Sequence, residues 1–198
     1  MRRVLVVAGV VVCAWSTTAH AQYPCAGSLA EYSGGHIGLY SDSPGYSDCS
    51  LRETLYTTNT VYIVHTIASH GNTAQFRIIH NWNALPQAIS FGSNLTLGDV
   101  YTGITVTYVG CKPLPYLIGT LSFISLTPTP RCTAFKVLPD PAVPSGQIEV
   151  VDCSYQIHAA TGGELWVNTE CMMCGLPEGC DPVAAETTSW GCVKALYH

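Results

Sequence analysis

Two neighbouring stretches obey a two-residue period, and that period restricts the possible folds more than any other feature. Gly103–Gly110 sets Ile104, Val106 and Tyr108 against Thr105, Thr107 and Val109. After Cys111–Pro115, Tyr116–Leu126 sets Leu117, Gly119, Leu121 and Phe123 against Ile118, Thr120, Ser122 and Ile124. Alternation of this kind belongs to strands, whose successive side chains point to opposite faces. Two such arms around a short turn predict an antiparallel hairpin. Thr127-Pro128-Thr129-Pro130 ends the second arm, because proline cannot donate to a ladder.

The rest of the chain follows the same pattern with weaker signals. Thr60–Ala68 is dense in β-branched and aromatic residues with apolar side chains on both faces, which predicts a central strand. Short strands are expected at Gln75–Ile79, Ala88–Phe91, Asn94–Leu97, Cys132–Leu138, Gln147–Cys153 and Leu165–Val167. Residues 22–58 read as loops with one strand, His36–Tyr40. Near the other end, Trp190, Val193, Leu196 and Tyr197 recur at helical spacing behind Thr188 and Ser189, which predicts a short C-terminal helix capped by one of those two. The fold class is all-β: an antiparallel β-sandwich, Ig-like or similar, stapled by disulfides.

The first residues describe a different object. Met1-Arg2-Arg3, an apolar run from Val4 to Trp15 and Ala19-His20-Ala21 have the layout of a secretory signal peptide over residues 1–21. Residues 22–169 would then form the sandwich, and residues 170–198 a Cys-rich loop and tail. Removing the leader takes away Arg2 and Arg3, so Lys+Arg falls from 8 to 6 against 13 Asp+Glu, and the net charge goes from −5 to −7. So few cations exclude nucleic acid as a partner, since phosphate binding needs clustered positive charge. The longest later apolar stretch, around Leu117–Leu126, is broken by Gly119, Thr120, Ser122 and Ser125, so no transmembrane segment is expected. The product is expected to be secreted, periplasmic or on the cell surface.

Export makes the cysteines informative. Behind the leader stand Cys25, Cys49, Cys111, Cys132, Cys153, Cys171, Cys174, Cys180 and Cys192, in a compartment where disulfides form. Their odd number leaves one thiol over unless two chains are bridged. If the two alternating arms pair, Cys111 at the turn and Cys132 beyond the far end are too distant to bond. That favours Cys132–Cys153, with Cys25–Cys49 as a second pair. The last four, spaced Cys171-x2-Cys174-x5-Cys180-x11-Cys192, read first as structural disulfides. The alternative is a metal-binding or thiol-redox site built from them. Zinc knuckles come in pairs, though, and only Cys171 and Cys174 have that spacing; a redox pair wants a following helix, where this chain has Gly175-Leu176-Pro177.

Other chemistry-bearing residues form no diagnostic pattern. His65, His70 and His80 lie near one another in sequence and would allow a three-His site only if adjacent strands brought them together. His36, His158 and His198 are isolated. Glu149 and Asp152 fall on opposite faces of a regular strand, and Asp140 between prolines is accounted for by a turn. No G-x-S-x-G, H-E-x-x-H, phosphate-binding loop or EF-hand spacing occurs. No catalytic residue, cofactor or metal is assigned. Tyr32, Tyr40, Tyr46, Tyr56, Trp82, Trp166 and Trp190 fall in or near loops and suggest a surface for a protein or glycan ligand. Asn94-Leu95-Thr96 fits a glycosylation sequon.

Three stretches carry a resemblance: Gly35-His36-Ile37-Gly38-Leu39-Tyr40-Ser41-Asp42, Val137-Leu138-Pro139-Asp140-Pro141 with Ile148-Glu149-Val150-Val151-Asp152-Cys153, and Thr188-Ser189-Trp190-Gly191-Cys192-Val193-Lys194-Ala195-Leu196-Tyr197. Together they resemble a group of secreted proteins of uncultured bacteria for which no activity is known. The resemblance implies a bacterial exported protein. In that group a polar residue stands where this chain has Cys192, which implies a local partner for it such as Cys180. The functional expectation is an exported, non-catalytic structural or binding module of the periplasm or cell surface. A further possibility is that the TSWGCVKALY tail serves as a sorting or docking element.

Overall fold

The structure is a computed structural model that describes residues 32–43, 45–68, 70–81, 85–130 and 133–168. The expected leader, the Cys171–Cys192 cluster and the expected C-terminal helix all lie outside these residues. Among the described residues there are twelve strands and no helix. They are β1 (His36–Tyr40), β2 (Ser50–Leu51), β3 (Thr58–Thr66), β4 (His70–His80), β5 (Leu85–Ser90) and β6 (Leu95–Asp99). Then come β7 (Gly103–Pro113), β8 (Tyr116–Ile124), β9 (Thr133–Leu138), β10 (Ile148–Val151), β11 (Ile157–Gly162) and β12 (Glu164–Val167).

Hydrogen bonds link the strands in the order β2-β12-β9-β4-β10-β11-β1-β3-β8-β5, with β7 added to β4 and β6 added to β7. The path folds over at β11 and β1, so that β1, β3, β8 and β5 make one leaf and the other strands make the opposing one. Between the leaves lie Ile37, Ile63, Phe76, Ile78, Val106, Leu121, Phe123, Phe135 and Leu165, all fully buried. Phe123 of β8 meets Phe135 of β9 across the gap with ring centroids 5.4 Å apart. The fold is therefore the β-sandwich expected, with antiparallel ladders throughout except for two short parallel pairings, β1 with β11 and β2 with β12.

The expected hairpin does not form. β7 pairs with β4 and β6, whereas β8 pairs with β3 and β5. The two arms face each other from opposite leaves, and Tyr108 and Tyr116 meet across the bend with ring centroids 4.7 Å apart. The period of two holds along both arms except at Leu117 and Ile118, where a register shift exposes Leu117 and buries Ile118; it reports that one face of each arm is buried and says nothing about which strand lies alongside. Pro113 and Pro115 flank the bend and withdraw two backbone donors from the place where a hairpin ladder would close.

The fold-over depends on two glycines. Gly163 donates its N–H to Ile37 O at 2.9 Å and accepts from Val137 N–H at 2.9 Å, so the chain passes from the β1 side to the β9 side at one residue. A Cβ on Gly162 would run into the carbonyl oxygen of Val137, and one on Gly163 would reach 2.9 Å from His36 Nε2. Only glycine permits this approach.

Candidate functional site

The register fixes what the outer face of β6, β7, β4, β10 and β11 presents. Val106, Ala74 and Val150 are buried, so their strand neighbours point outward. Leu95 lies opposite Thr107, Thr107 opposite Thr73, Thr73 opposite Val151, and Val151 opposite Ile157. The next row runs Leu97, Thr105, Gln75, Glu149, Ala159. Five strands thus carry two rows that contain one charged residue. At their ends Leu95, Leu97 and Ile157 are 72%, 78% and 67% exposed. Val109, two residues beyond Thr107 on β7, is also exposed. Thr73 Oγ1 donates to Thr107 Oγ1 at 3.3 Å in the middle.

The charged groups on and beside these rows are engaged. Gln75 Nε2 donates to Asp140 Oδ2 at 2.8 Å, and Ala142 N–H donates to Asp140 Oδ1 at 2.8 Å. The turn role expected for Asp140 is what it performs, with an anchor to β4 in addition. Ser145 Oγ donates to Glu149 Oε1 at 2.8 Å. On the β9 and β12 side, Lys136 pairs with Glu164 at 2.8 Å and stands over the Trp166 ring at 5.6 Å. Among the described residues β6 is paired on one side only, by β7, and it carries neither proline nor lysine to blunt its other edge.

One disulfide braces this face. Cys111 of β7 bonds Cys153 in the β10–β11 turn, with Cα atoms 5.4 Å apart and a sequence separation of 42. The expected Cys132–Cys153 bond is therefore wrong. β7 and β10 flank β4 on its two sides, which brings their ends together; the expectation had placed β7 beside β8. Cys49 is also disulfide-bonded. Cys25, Cys132, Cys180 and Cys192 lie outside the described residues.

The histidines do not assemble. His70 and His80 are the first and last residues of β4, about 33 Å apart along an extended strand. Among the described residues no group of three or more His, Cys, Asp or Glu could hold a metal ion. His65 is buried instead: Tyr108 Oη donates to its Nδ1 at 3.1 Å, and its Nε2 lies 2.8 Å from Gly34 O. His36, on the neighbouring strand β1 and also buried, bonds Thr161 Oγ1 through Nδ1 at 2.8 Å. Burial first, and then the neighbouring His65, push the His36 imidazole down to about 4. His65 is likewise lowered by burial, against the pull of the Gly34 carbonyl.

Part of the expected aromatic surface is taken up in packing. Tyr40 is buried, and Tyr46 leans on Tyr40 and Tyr62 at 6.1 and 6.4 Å. Tyr56 is exposed; Trp82 and Trp190 lie outside the described residues. The sequon asparagine is engaged: Asn94 Nδ2 donates to Ile118 O at 2.8 Å, and Oδ1 accepts from Tyr116 Oη at 2.7 Å.

Sequence reasoning missed Glu53 altogether. Its carboxylate accepts from Ser125 Oγ, Thr129 Oγ1, Thr129 N–H and Asn168 Nδ2 at 2.5–2.7 Å, tying three loops at one end of the sandwich. Burial raises its carboxyl, but the bonds from Ser125, Thr129 and Asn168 outweigh this and hold it below the usual range. A lone Glu in a loop carries no local pattern, so nothing in the sequence pointed to it.

No protein-family model and no curated protein matches the chain. Among solved structures it is similar to a chain of a CaDoc0917–CaCohA2 complex solved at pH 5.5, with 10% identity over 67% of this chain and 98% of that one and a TM-score of 0.46. It is also similar to a non-cellulosomal cohesin from the hyperthermophilic archaeon Archaeoglobus fulgidus, with 9% identity over 70% of this chain and 88% of that one and a TM-score of 0.41. At these values nothing about the chemistry of this chain follows from either likeness.

Proposed function

We propose that the chain is an exported binding module that docks a protein partner on the outer face of β6, β7, β4, β10 and β11. The observation that carries this reading is the composition of that face: two five-residue rows with one charge, and leucine or isoleucine exposed by two thirds or more at the ends. Leu95 and Leu97 stand together on β6, and exposed apolar side chains grouped on one surface mark interaction sites more often than they mark idle surface. A protein partner fits better than a glycan, because sugars stack on aromatic rings and these rows contain none. The Cys111–Cys153 bond supports an oxidising compartment, as the leader does. No helix among the described residues is long and apolar enough to cross a membrane.

A photo-reactive leucine at position 97 or 95, in the protein exported by a bacterial host, would cross-link the partner for identification by mass spectrometry. Binding to that purified partner should weaken at least tenfold in Leu97→Asp and in Ile157→Asp. Unchanged affinity in both variants would sink the reading. A cross-linked glycan would retain the face and change the ligand class.

A further inference from the structure

A separate constellation lies at the margin of the sandwich, built from three segments. Ser33 sits in the turn before β1, His158 is the second residue of β11, and Asp152 opens the β10–β11 turn. Ser33 Oγ is 2.9 Å from His158 Nδ1, and His158 Nε2 is 3.0 Å from Asp152 Oδ2. Asp152 Oδ1 accepts from Ser154 N–H at 2.7 Å and Gln156 N–H at 2.9 Å, which aims the other oxygen at the imidazole. The Gln156 N–H, then His158, hold this carboxyl below its usual range. An ionised carboxylate only accepts, so Nε2 carries a hydrogen, and in the neutral ring Nδ1 then keeps its lone pair. The Ser33 hydroxyl then donates to Nδ1.

This is the polarity of a nucleophile, base and orienting acid, with the ring nitrogens exchanged relative to the serine-protease arrangement. The backbone fixes each member. Gly34 N–H donates to Ala159 O at 2.9 Å, which pins Ser33 beside His158, and the disulfide at Cys153 braces the residue next to Asp152.

We propose that Ser33 is a reactive nucleophile, activated by His158 and positioned through it by Asp152, that is acylated by activated esters. As the Oγ–carbon bond forms, the hydroxyl proton moves to His158 Nδ1. Collapse breaks the bond to the leaving oxygen, which takes that proton away. Water then attacks the acyl-serine, passes one proton to Nδ1, and Ser33 regains it as the acid departs. The net reaction is ester plus water to acid plus alcohol. The substrate class follows from the backbone. Gly34 N–H is spent on Ala159 O and Gly35 N–H on Tyr32 O at 3.2 Å, so neither can hold an oxyanion. A missing donor costs about 10²–10³ in rate. Ser33, which is exposed, therefore acts on electrophiles with good leaving groups, such as aryl esters and fluorophosphonates, that reach it from solvent.

The test is labelling of the full chain with a fluorophosphonate, which forms a P–O bond to the serine and expels fluoride. Exposed Ser154 in the adjacent turn serves as the internal control. Peptide mapping should place the label on Ser33 at least tenfold faster than on Ser154, with loss in Ser33→Ala. The rate should fall tenfold or more in His158→Gln and Asp152→Asn, while near-ultraviolet circular dichroism stays unaltered. Release of p-nitrophenol from its acetate should fall in parallel. Equal labelling of Ser33 and Ser154 would overturn the proposal. So would labelling of Ser33 that persists in His158→Gln, because that would describe an ordinary exposed hydroxyl held in a structural hydrogen bond.

Discussion

Among the described residues, the Glu53 side chain gathers four hydrogen bonds. Its two carboxylate oxygens satisfy four donors, and Ser125 and Thr129 among these partners are buried. Removing the carboxylate strands those donors away from water, and a buried unsatisfied donor costs roughly 1–3 kcal/mol. Glu53→Ala is accordingly expected to lose about 2–3 kcal/mol in a urea titration, and Glu53→Gln less, because the amide oxygen keeps two acceptor positions. A loss under about 0.5 kcal/mol in Glu53→Ala, the range of an ordinary surface substitution, would show the latch to be idle. No sequence rule finds this residue, because its partners are 72, 76 and 115 positions away.

Among elements, the pair β7 and β8 shows what periodicity can and cannot say. Most inward residues of the two arms were legible from alternation: Ile104, Val106, Tyr108, Leu121 and Phe123 are all buried. The pairing was not legible, because a strand buried on one face alternates identically whether its neighbour in sequence lies beside it or across the core. The misplaced disulfide is the same error carried forward. Closing a loop of 42 residues constrains the unfolded chain by about 4 kcal/mol in the chain-entropy account. Replacing Cys111 and Cys153 by serine together should lower unfolding free energy by about 2–4 kcal/mol, read from denaturant midpoints without reductant. If the double variant matches the oxidised protein within about 0.5 kcal/mol, the bond contributes nothing to this leaf.

For the whole molecule, the seam that joins the leaves is sensitive to acid. β1 meets β11 through two register pairs, and His36 lies there against Thr161 and Gly163 with His65 behind it. In the unfolded chain a histidine titrates near 6.5; in the fold His36 titrates at about 4. Between those values the unfolded state binds more protons, so stability rises with pH. The contribution is complete above about pH 6.5 and is lost as pH falls towards 4, by about 3 kcal/mol at the limit. Urea midpoints from pH 7.5 to 4 should show this decline, and His36→Gln should reduce its slope, with the buried His65 supplying the part that remains. A midpoint independent of pH over that window would refute the assignment.

The sequence by itself determined that the chain is all-β, where most strands run and which of their faces go inside, because these are local consequences of a two-residue period and of β-branched and aromatic side chains. Only the tertiary structure decided which strands are neighbours, that Cys111 finds Cys153, that His65, His70 and His80 form no three-histidine group, and that Glu53 and Ser33 find their partners. These depend on contacts between positions tens of residues apart, chosen by how two buried faces stack. Side-chain alternation is the same for every such choice.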